Sequence, residues 1–408
     1  MKPLRLFLSV MFLAAGLSAQ ETALTLDRAI EEALARNPSV LSAAQEMKAA
    51  AARRLQAEAR PDPTVSLATE SIPWTLRARE GEQTEFSLGL EQRFEFPGKR
   101  TARAEIGRLG KDIAALTLER VRLVVSARVK RAYYRAALAG ETLAALEPTI
   151  AMLDRLIEHI RIRFESGNAT YGDILRARVE KARLQNRVIE ARRERDAAAA
   201  DLLYQMGRPN GDSVRLTTEL ACPPLDRPVE AILGAARAAR PSLKIAAAES
   251  DRAAAAVRMA GLNGKPDLTA GLFAPSKNFG SWGFALGVGL PLSEKRRTGE
   301  RGEAEALLAS SRIAAEARDK RLETLIRQAY GEAKAAGDQV KVFEERLLGE
   351  IQDEFRIAVD YYQFGKMEAY ALLDLERSAT EARLEYLRAL YGYAVALADL
   401  EVAGEEED

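Results

Sequence analysis

The chain has 408 residues, and its 60 lysine and arginine residues balance its 60 aspartate and glutamate residues, so the formal net charge is zero. This balance argues against a nucleic-acid-binding protein, which would carry an excess of positive charge. Aromatic residues make up only 6% of the chain, and long segments rich in alanine, leucine, glutamate and arginine predict long, closely packed helices. The single cysteine, Cys222, excludes an intrachain disulfide and is interpreted as a small packing residue.

Residues 1–19 predict a secretory signal peptide. Lys2 and Arg5 form a basic start, residues 6–17 are apolar, and Ser18 and Ala19 are small residues suited to cleavage. A membrane-spanning helix would need about 18 apolar residues, so an N-terminal membrane anchor is the less favoured alternative. No later apolar run reaches that length. We therefore expect an exported chain that is periplasmic, secreted, or embedded in an outer membrane through strands.

Two helices are predicted after the signal peptide. Residues 23–35 carry apolar side chains at helical spacing, and Thr25 is a candidate N-cap. Asn37 and Pro38 interrupt this pattern, and an alanine-rich helix is predicted from residue 39 to about residue 59.

A strand with two different faces is predicted at residues 86–96. Apolar side chains and one glutamine occupy the even positions, whereas the odd positions carry small residues and then Glu91, Arg93 and Glu95. The length of this run is close to that of a tilted membrane-spanning strand. Residues 63–69 are predicted as a shorter partner strand, with a loop at 70–84 that contains Trp74.

A very long helix is predicted at residues 99–165, because the helical pattern continues without a stop signal until Gly167. Its length would be about 100 Å, which predicts a bundle, coiled coil or tube rather than a compact domain. A second helix is predicted at residues 171–206, followed by an irregular linker that begins near Gly207 and ends at Pro228.

The same order of features then repeats at an offset of about 200 residues. Pro241 and Pro266 correspond to Pro38 and Pro63, alternating runs recur at 267–273 and 284–292, and Gly365 corresponds to Gly167. Chance similarity between alanine-rich helices does not explain an ordered series of prolines, strands and glycines. We therefore predict a duplicated chain, with repeats at residues 20–208 and 229–408 and an equatorial linker at 209–228.

Four strands with one apolar face cannot close into a barrel alone, because open sheet edges are not tolerated in lipid and natural closed barrels have about eight strands or more. Strands from several chains must combine. Three copies would form a twelve-stranded barrel, which the helices would continue as a tube.

The order of these motifs resembles the outer-membrane efflux proteins typified by TolC. The resemblance covers the whole mature chain and depends on four features: LTLDRAIEEALARNPSV at the start, a strand followed by FEFPGKR, the turn RFESGNATYGDIL, and the duplication. The FEFPGKR segment is similar to the heavy-metal efflux branch. The resemblance implies an α+β membrane protein: a homotrimer with a twelve-stranded outer-membrane β-barrel, in contact with lipid and continued by a long periplasmic α-helical barrel. It also implies an inner-membrane efflux pump and a periplasmic adaptor protein as partners.

The resemblance also implies roles for the residues around the two glycines. Gly167 and Gly365 match the turns where the adaptor docks. Asp173 matches a gate aspartate, Tyr362 a tyrosine that links to it, and Asp374 one position of an acidic constriction ring. This sequence departs from the family pattern at two positions: Ala371 replaces a second aspartate, and Met367 replaces a bridging arginine. Glu368 is a candidate substitute for that bridge.

Simpler interpretations of these residues remain open. The glycines can be helix C-caps that need a positive φ, and the carboxylates can be solvated charges that favour a helix N-terminus. Glu91, Arg93 and Glu95 would line the barrel lumen or form an ordinary exposed strand face. Trp282 is placed at a membrane interface. The basic residues where strands become helices, at 99–100 and 295–297, would contact lipid headgroups or solvent.

The sequence offers no support for enzyme chemistry. The only histidine, His159, lies within the long predicted helix, and no cysteine or histidine cluster forms a metal-binding motif. Neither a P-loop nor a G-x-S-x-G motif is present. We predict no catalytic residue, no cofactor and no dedicated metal site.

The sequence therefore predicts an outer-membrane exit duct that passively conducts metal cations or small toxic compounds delivered by a pump and an adaptor. The alternatives are a duct for type I protein secretion and a periplasmic coiled-coil structural or adaptor protein. The second alternative does not account for four alternating strands at matched positions.

Overall fold

Long helices and antiparallel strand pairs alternate twice along the chain. The computed structural model describes residues 22–70, 85–209, 211, 214–217, 223–275, 282–344 and 348–405. The predicted signal peptide, most of the loop with Trp74, and Cys222 lie outside the described residues.

The first repeat has the predicted order of elements. These are β1 (Thr22–Leu24), α1 (Leu26–Arg36), α2 (Pro38–Glu58), β2 (Thr64–Glu70), β3 (Glu85–Phe94), α3 (Lys99–Glu165) and α4 (Tyr171–Met206). The predicted bounds of α3 and α4 are confirmed. Thr25 accepts a hydrogen bond from the Arg28 amide at the start of α1, and Asn37 accepts one from the Ser39 amide at the start of α2, as expected for N-cap residues.

The second repeat follows the same order. Its elements are β4 (Val214–Leu216), α5 (Val229–Ala239), α6 (Pro241–Asn263), β5 (Asp267–Pro275), β6 (Gly283–Gly289), α7 (Glu294–Val342), α8 (Leu348–Gln363) and α9 (Ala369–Val402). The counterpart of α3 is therefore described as two helices, α7 and α8. The order of elements predicted for the two halves of the chain is thus observed.

The four predicted strands form one antiparallel sheet with the order β2-β3-β5-β6. The register pairs Leu67 with Leu88, Leu90 with Leu272, and Leu268 with Val288, so the apolar positions of all four strands share one face. That face is uncovered: its leucine, valine and phenylalanine side chains are about half exposed or more. Its glutamine, Gln92, instead reaches back to the Pro61 carbonyl oxygen at 2.8 Å.

Two strands, β3 and β6, end earlier than predicted. β3 stops at Phe94 because the Phe96 amide donates to the Asp267 carboxylate at 2.9 Å instead of continuing the ladder. β6 stops at Gly289, two residues before Pro291, which has no amide hydrogen to donate.

A second, two-stranded parallel sheet was not predicted. β1 pairs with β4 in the register Thr22 to Val214 and Leu24 to Leu216. The predictions that the first helix begins at residue 23 and that the whole linker is irregular are therefore wrong. Leu24 is buried, and its carbonyl oxygen accepts a hydrogen bond from the Tyr133 hydroxyl at 2.9 Å. Strands of three residues are too short to show an alternating pattern, and their partners lie about 190 residues apart in sequence.

The chain divides into two compact units. One comprises residues 1–36, 128–223 and 336–395, and the other comprises residues 37–127, 224–335 and 396–408. The first has a core of leucine, isoleucine, valine and alanine side chains from α3, α4, α8 and α9. The second contains the four-stranded sheet and a smaller core that includes Leu233, Leu322, Ile326 and Leu400.

Among the described residues, one helix, α3, includes a stretch apolar enough to cross a membrane by length and composition alone. No such stretch was predicted after the signal peptide. The core helix of a soluble protein passes the same test, and a third of this stretch is buried.

Candidate functional site: the two helical turns and the strand-to-helix junction

Two glycine turns have the same backbone. The first turn, residues 166–170, joins α3 to α4, and the second turn, residues 364–368, joins α8 to α9. Gly167 and Gly365 have φ values of 78° and 72°, which a side chain with a Cβ rarely adopts. Both are helix C-caps, so the simpler interpretation of these glycines is correct, and it does not exclude a docking role.

The hydrogen bonds of the two turns also correspond. In the first turn, the Gly167 amide donates to the Phe164 carbonyl and the Asn168 amide to the Arg163 carbonyl, at 3.0 and 2.7 Å. The equivalent bonds of the second turn, from Gly365 and Lys366, measure 3.0 and 2.8 Å. The bond across five residues satisfies a carbonyl group at the helix end. The duplication therefore extends to individual hydrogen bonds.

The side chains that follow the first turn form a capping box at the start of α4. The Asp173 carboxylate accepts hydrogen bonds from the Thr170 amide at 2.9 Å and from the Thr170 hydroxyl at 2.7 Å. The Thr170 hydroxyl oxygen in turn accepts from the Asp173 amide at 3.3 Å. These hydrogen bonds from Thr170 lower the pKa of the Asp173 carboxyl. The carboxylate predicted for the gate therefore forms hydrogen bonds to the adjoining turn, through Thr170.

The second turn has a different set of side chains at the equivalent positions. Glu368 corresponds to Thr170 and Ala371 to Asp173, so neither member of the capping box is present. Glu368 is exposed, and Met367 packs against the core of its unit. Glu368 directly precedes α9, and because Ala371 has no carboxylate, the same box cannot form there.

Tyr362, in the last turn of α8, is buried, with 4% of its surface exposed. Among the described residues, its hydroxyl has no hydrogen-bond partner, so the expected hydrogen-bonded link to Asp173 is not formed. Burial raises the pKa of the Tyr362 hydroxyl, the Arg163 charge opposes this rise, and the Asp173 charge adds to it. The Tyr362 ring instead lies under the Arg163 guanidinium, with 5.3 Å from Cζ to the ring centroid.

Asp374 lies in the first part of α9, and its side chain is 65% exposed. It forms an ion pair with Arg377, one turn further along the same helix. A mostly exposed carboxylate at this position is available to a solute, as expected of a constriction residue, and also fits the simpler interpretation of a solvated helix face.

Glu376 was missed by the sequence analysis. It is 5% exposed and accepts a hydrogen bond from the Thr380 hydroxyl at 2.8 Å. Burial raises the pKa of the Glu376 carboxyl, and the nearby Glu180 charge adds to this effect. The available signal was its spacing: Glu376 lies four residues after Leu372 on the helix face that also buries Leu384 and Leu387.

Arg93 and Glu95, two of the three residues predicted to line the lumen, form ion pairs where the strands β3 and β5 meet the start of α3. The Asp267 carboxylate accepts from Arg93 Nη2 at 2.5 Å and from Lys99 Nζ at 2.7 Å. Glu95 forms an ion pair with Arg103, near the start of α3. Asp267, at the start of β5, thereby holds the segment that leads from β3 into α3, through Lys99 and the Phe96 amide. Glu91 is exposed, and no ion pair joins it to another described residue.

Among the residues that the structure describes, no cluster of three or more histidine, cysteine, aspartate or glutamate side chains is arranged to hold a metal ion. His159 lies in α3 and Trp282, just before β6, is exposed.

The comparison with family models covers most of the chain. The model described as outer membrane efflux protein matches residues 29–208 and 232–403. The chain belongs to the outer membrane efflux protein family. These proteins are ducts rather than enzymes, and they work as trimers with adaptor proteins and inner-membrane pumps. This chain is accordingly an outer-membrane exit duct that extends into the periplasm. Membership of this family excludes the alternative that the chain is a periplasmic coiled-coil structural or adaptor protein.

Individual relatives agree with this family. The cobalt-zinc-cadmium resistance protein CzcC of Cupriavidus metallidurans is 24% identical over 374 residues, which are 90% of this chain and 86% of that protein. The Campylobacter jejuni CmeC outer membrane channel has a TM-score of 0.79 at 16% identity, covering 94% of this chain and 87% of that chain. A CusC structure has a TM-score of 0.78 at 20% identity, covering 93% and 92%. These structures show that this efflux protein has the fold of an outer-membrane channel.

Proposed function

We propose that this chain is the outer-membrane duct of a tripartite system that exports heavy-metal cations. The support for metal cargo is the similarity to CzcC along 90% of the chain, together with the FEFPGKR segment that follows the alternation of β3. The pump would select and drive the cation, and a periplasmic adaptor would join the pump to this duct. The chain itself would supply a passive route.

The observation that best supports a membrane duct is the uncovered apolar face of the four-stranded sheet. Within the described residues, β2 and β6 each pair with one neighbouring strand only, so both edges of the sheet carry unpaired backbone groups. Lipid does not tolerate such edges. Three copies would join β6 of one protomer to β2 of the next and close a twelve-stranded barrel, with the apolar face toward lipid and the polar face toward the lumen.

The polar strand residues would then shape the lumen. Glu91 is an exposed carboxylate of this face, whereas the charges of Arg93 and Glu95 are largely compensated by Asp267 and Arg103. A trimer would place three Glu91 carboxylates around the axis of the barrel. Rings of carboxylates favour cations in other channels, which agrees with a metal cation as cargo.

The two turns would form the periplasmic entrance. Gly167 and Gly365 would present the turns to the adaptor, and Asp173, Tyr362, Glu368 and Asp374 would control the opening. Exchanging both aspartates for alanine is expected to raise passive conductance or to weaken block by divalent cations in a bilayer recording. Unchanged conductance together with unchanged block would contradict the gate assignment.

The proposed organisation of the chain follows from the same duplication. Residues 1–19 would be removed as a signal peptide. Residues 20–208 and 229–408 would be the two efflux repeats, and residues 209–228 the equatorial linker, which contains β4.

Metal accumulation tests the proposed cargo. Deleting the gene is expected to raise cellular cobalt, zinc or cadmium severalfold, and expression of the wild-type chain is expected to reverse this. Glu91→Gln should restore export less well than the matched exposed control Glu46→Gln, which changes a carboxylate on α2. Unchanged metal content, with retention of a secreted polypeptide or an organic compound instead, would contradict metal export and favour another cargo for the same duct.

A further inference from the structure

One arginine contacts the first glycine turn and also the end of α8, just before the second turn. Arg163 lies in the last turn of α3. Its Nη1 donates to the Tyr362 carbonyl oxygen at the end of α8, at 3.3 Å, and its Nη2 donates to the Asn168 carbonyl oxygen in the first turn, at 3.4 Å. The same guanidinium lies over the Tyr362 ring. A single side chain therefore joins the first turn to the last turn of α8, and the two turn glycines in these hairpins are 198 residues apart in sequence.

The position of this cation has an electrostatic reason. The C-terminal end of a helix carries partial negative charge on its last carbonyl groups, and cations are stabilised there. The Tyr362 carbonyl, in the last turn of α8, is such a group, and the Asn168 carbonyl lies in the first turn, just beyond the end of α3. The planar guanidinium of Arg163 presents several donors in a fixed geometry, so it can bind two carbonyl groups and a ring face at once, which the flexible ammonium group of a lysine does less well.

The other polar groups nearby do not provide this link. The Tyr362 hydroxyl is buried and has no hydrogen-bond partner among the described residues, and the Asp173 carboxylate is bound by Thr170. Lys366 lies over the Tyr361 ring, with 5.9 Å from Nζ to the centroid, but both residues belong to the α8–α9 hairpin. The contact of Tyr362 with the first hairpin therefore uses its carbonyl and its ring.

We propose that Arg163 is the latch that holds the second turn against the first, and that the duct opens when this contact is released. The proposal rests on the gate function proposed above for the two turns. The second turn is the part that moves, because the capping box holds the start of α4 and no equivalent box holds the start of α9. Arg163 is a positioning residue: it binds the backbone of the gate rather than the solute.

Bilayer recordings of the purified full-length protein test the latch. Arg163→Ala is expected to raise the open probability about tenfold, as expected when hydrogen bonds from a charged group are lost. Arg163→Lys should give an intermediate value, because it keeps the charge and loses the planar donors. Tyr362→Phe should match the wild type. The matched control is Arg161→Ala, which removes an exposed arginine that pairs with Glu158 on its own helix.

Hydrogen–deuterium exchange of the same proteins gives a second readout that does not depend on conductance. Arg163→Ala should speed exchange at the Gly365 and Lys366 amides about tenfold, and should leave the amide of Asp173 unchanged. If Arg163→Ala does not fold, Arg163→Lys carries both measurements. An absence of pores in every protein would contradict the gate function, while the exchange data would still decide the latch. Equal behaviour of Arg163→Ala and Arg161→Ala in exchange would overturn the latch, as would opening by Tyr362→Phe.

Discussion

The two glycine turns share a backbone and differ in the side chains that hold it. Both have a glycine at positive φ and the same pair of hydrogen bonds. Only the first continues into a capping box, formed by Thr170 and Asp173, whereas Glu368 and Ala371 occupy the equivalent positions of the second. The turn geometry is thus the same in both hairpins, whereas the side-chain stabilisation of the helix that follows differs.

This difference predicts unequal stability of the two turns. A turn whose following helix is capped by its own side chains keeps its shape without help from other helices. The second turn depends more on contacts from outside its hairpin, of which the Arg163 contact is the clearest. Under the proposed gate function, a signal at the turns would displace the second turn before the first.

The largest expected effect comes from removing the feature that the turns share. Gly167→Ala and Gly365→Ala place a Cβ at a positive φ, which costs roughly 1–2 kcal/mol. Exchange of the amides in the substituted turn should become faster by a corresponding factor in each protein. The matched control is Gly349→Ala in α8, where an added Cβ would meet no atom within 4 Å. Unchanged exchange in either turn would show that its glycine is not required.

Removing the capping box should affect one turn only. Thr170→Ala eliminates the hydroxyl that bonds both the carboxylate and the amide of Asp173, at an expected cost of about 1 kcal/mol. Exchange at the start of α4 should become severalfold faster. Glu368→Ala, the equivalent change in the second turn, should leave exchange at the start of α9 nearly unchanged. Equal effects of the two substitutions on exchange would contradict the claim that a capping box stabilises only the first turn.

Introducing the capping box after the second turn should stabilise the start of α9 and so remove the difference between the two turns. Glu368→Thr combined with Ala371→Asp recreates the spacing of Thr170 and Asp173 at the start of α9. The expected gain is about 0.5–1 kcal/mol, measured as slower exchange at residues 369–372. The open probability should fall at the same time, since the second turn would no longer depend on Arg163 alone. Each single substitution is a control, because half a box lacks the reciprocal hydrogen bonds.

The smallest expected effects are pH-dependent and have opposite signs in the two hairpins. The pKa of Asp173 is lowered by Thr170, so its contribution is present above the ordinary value of 3.8 and is lost as the pH falls through the lowered value. The pKa of Glu376 is raised by burial, so its favourable contribution is present below 4.5 and is lost as the pH rises through the raised value.

Melting curves at several pH values measure these two effects. Asp173→Asn should lower the melting temperature at pH 7 by a few degrees at most, and the difference should vanish near pH 2. Glu376→Gln should raise the melting temperature at pH 8 and match the wild type near pH 4. A decrease at pH 8 would show that the Glu376 carboxylate makes a favourable contact that its burial does not reveal.

The parts of the fold predicted correctly are those specified by local signals. Uninterrupted helical patterns and the glycines or prolines that end them located α3 and α4 to the residue, and period-two alternation located the four strands of the sheet. The parallel pairing of β1 with β4 and the junction at Asp267 depend on residues far apart in sequence, so no local pattern indicates them. Arg163 was missed for the same reason: it reads as one more charged residue at the end of a long helix.

A measurement of ion selectivity tests the central claim, that this chain forms a cation-conducting duct, most directly. The purified full-length protein would be reconstituted in a planar bilayer under a salt gradient, and the reversal potential of single-channel currents would be recorded. Discrete current steps with a reversal potential that indicates preference for cations, and a weaker preference in Glu91→Gln, are the predicted result. An absence of current steps, or channels that prefer anions, would contradict the account.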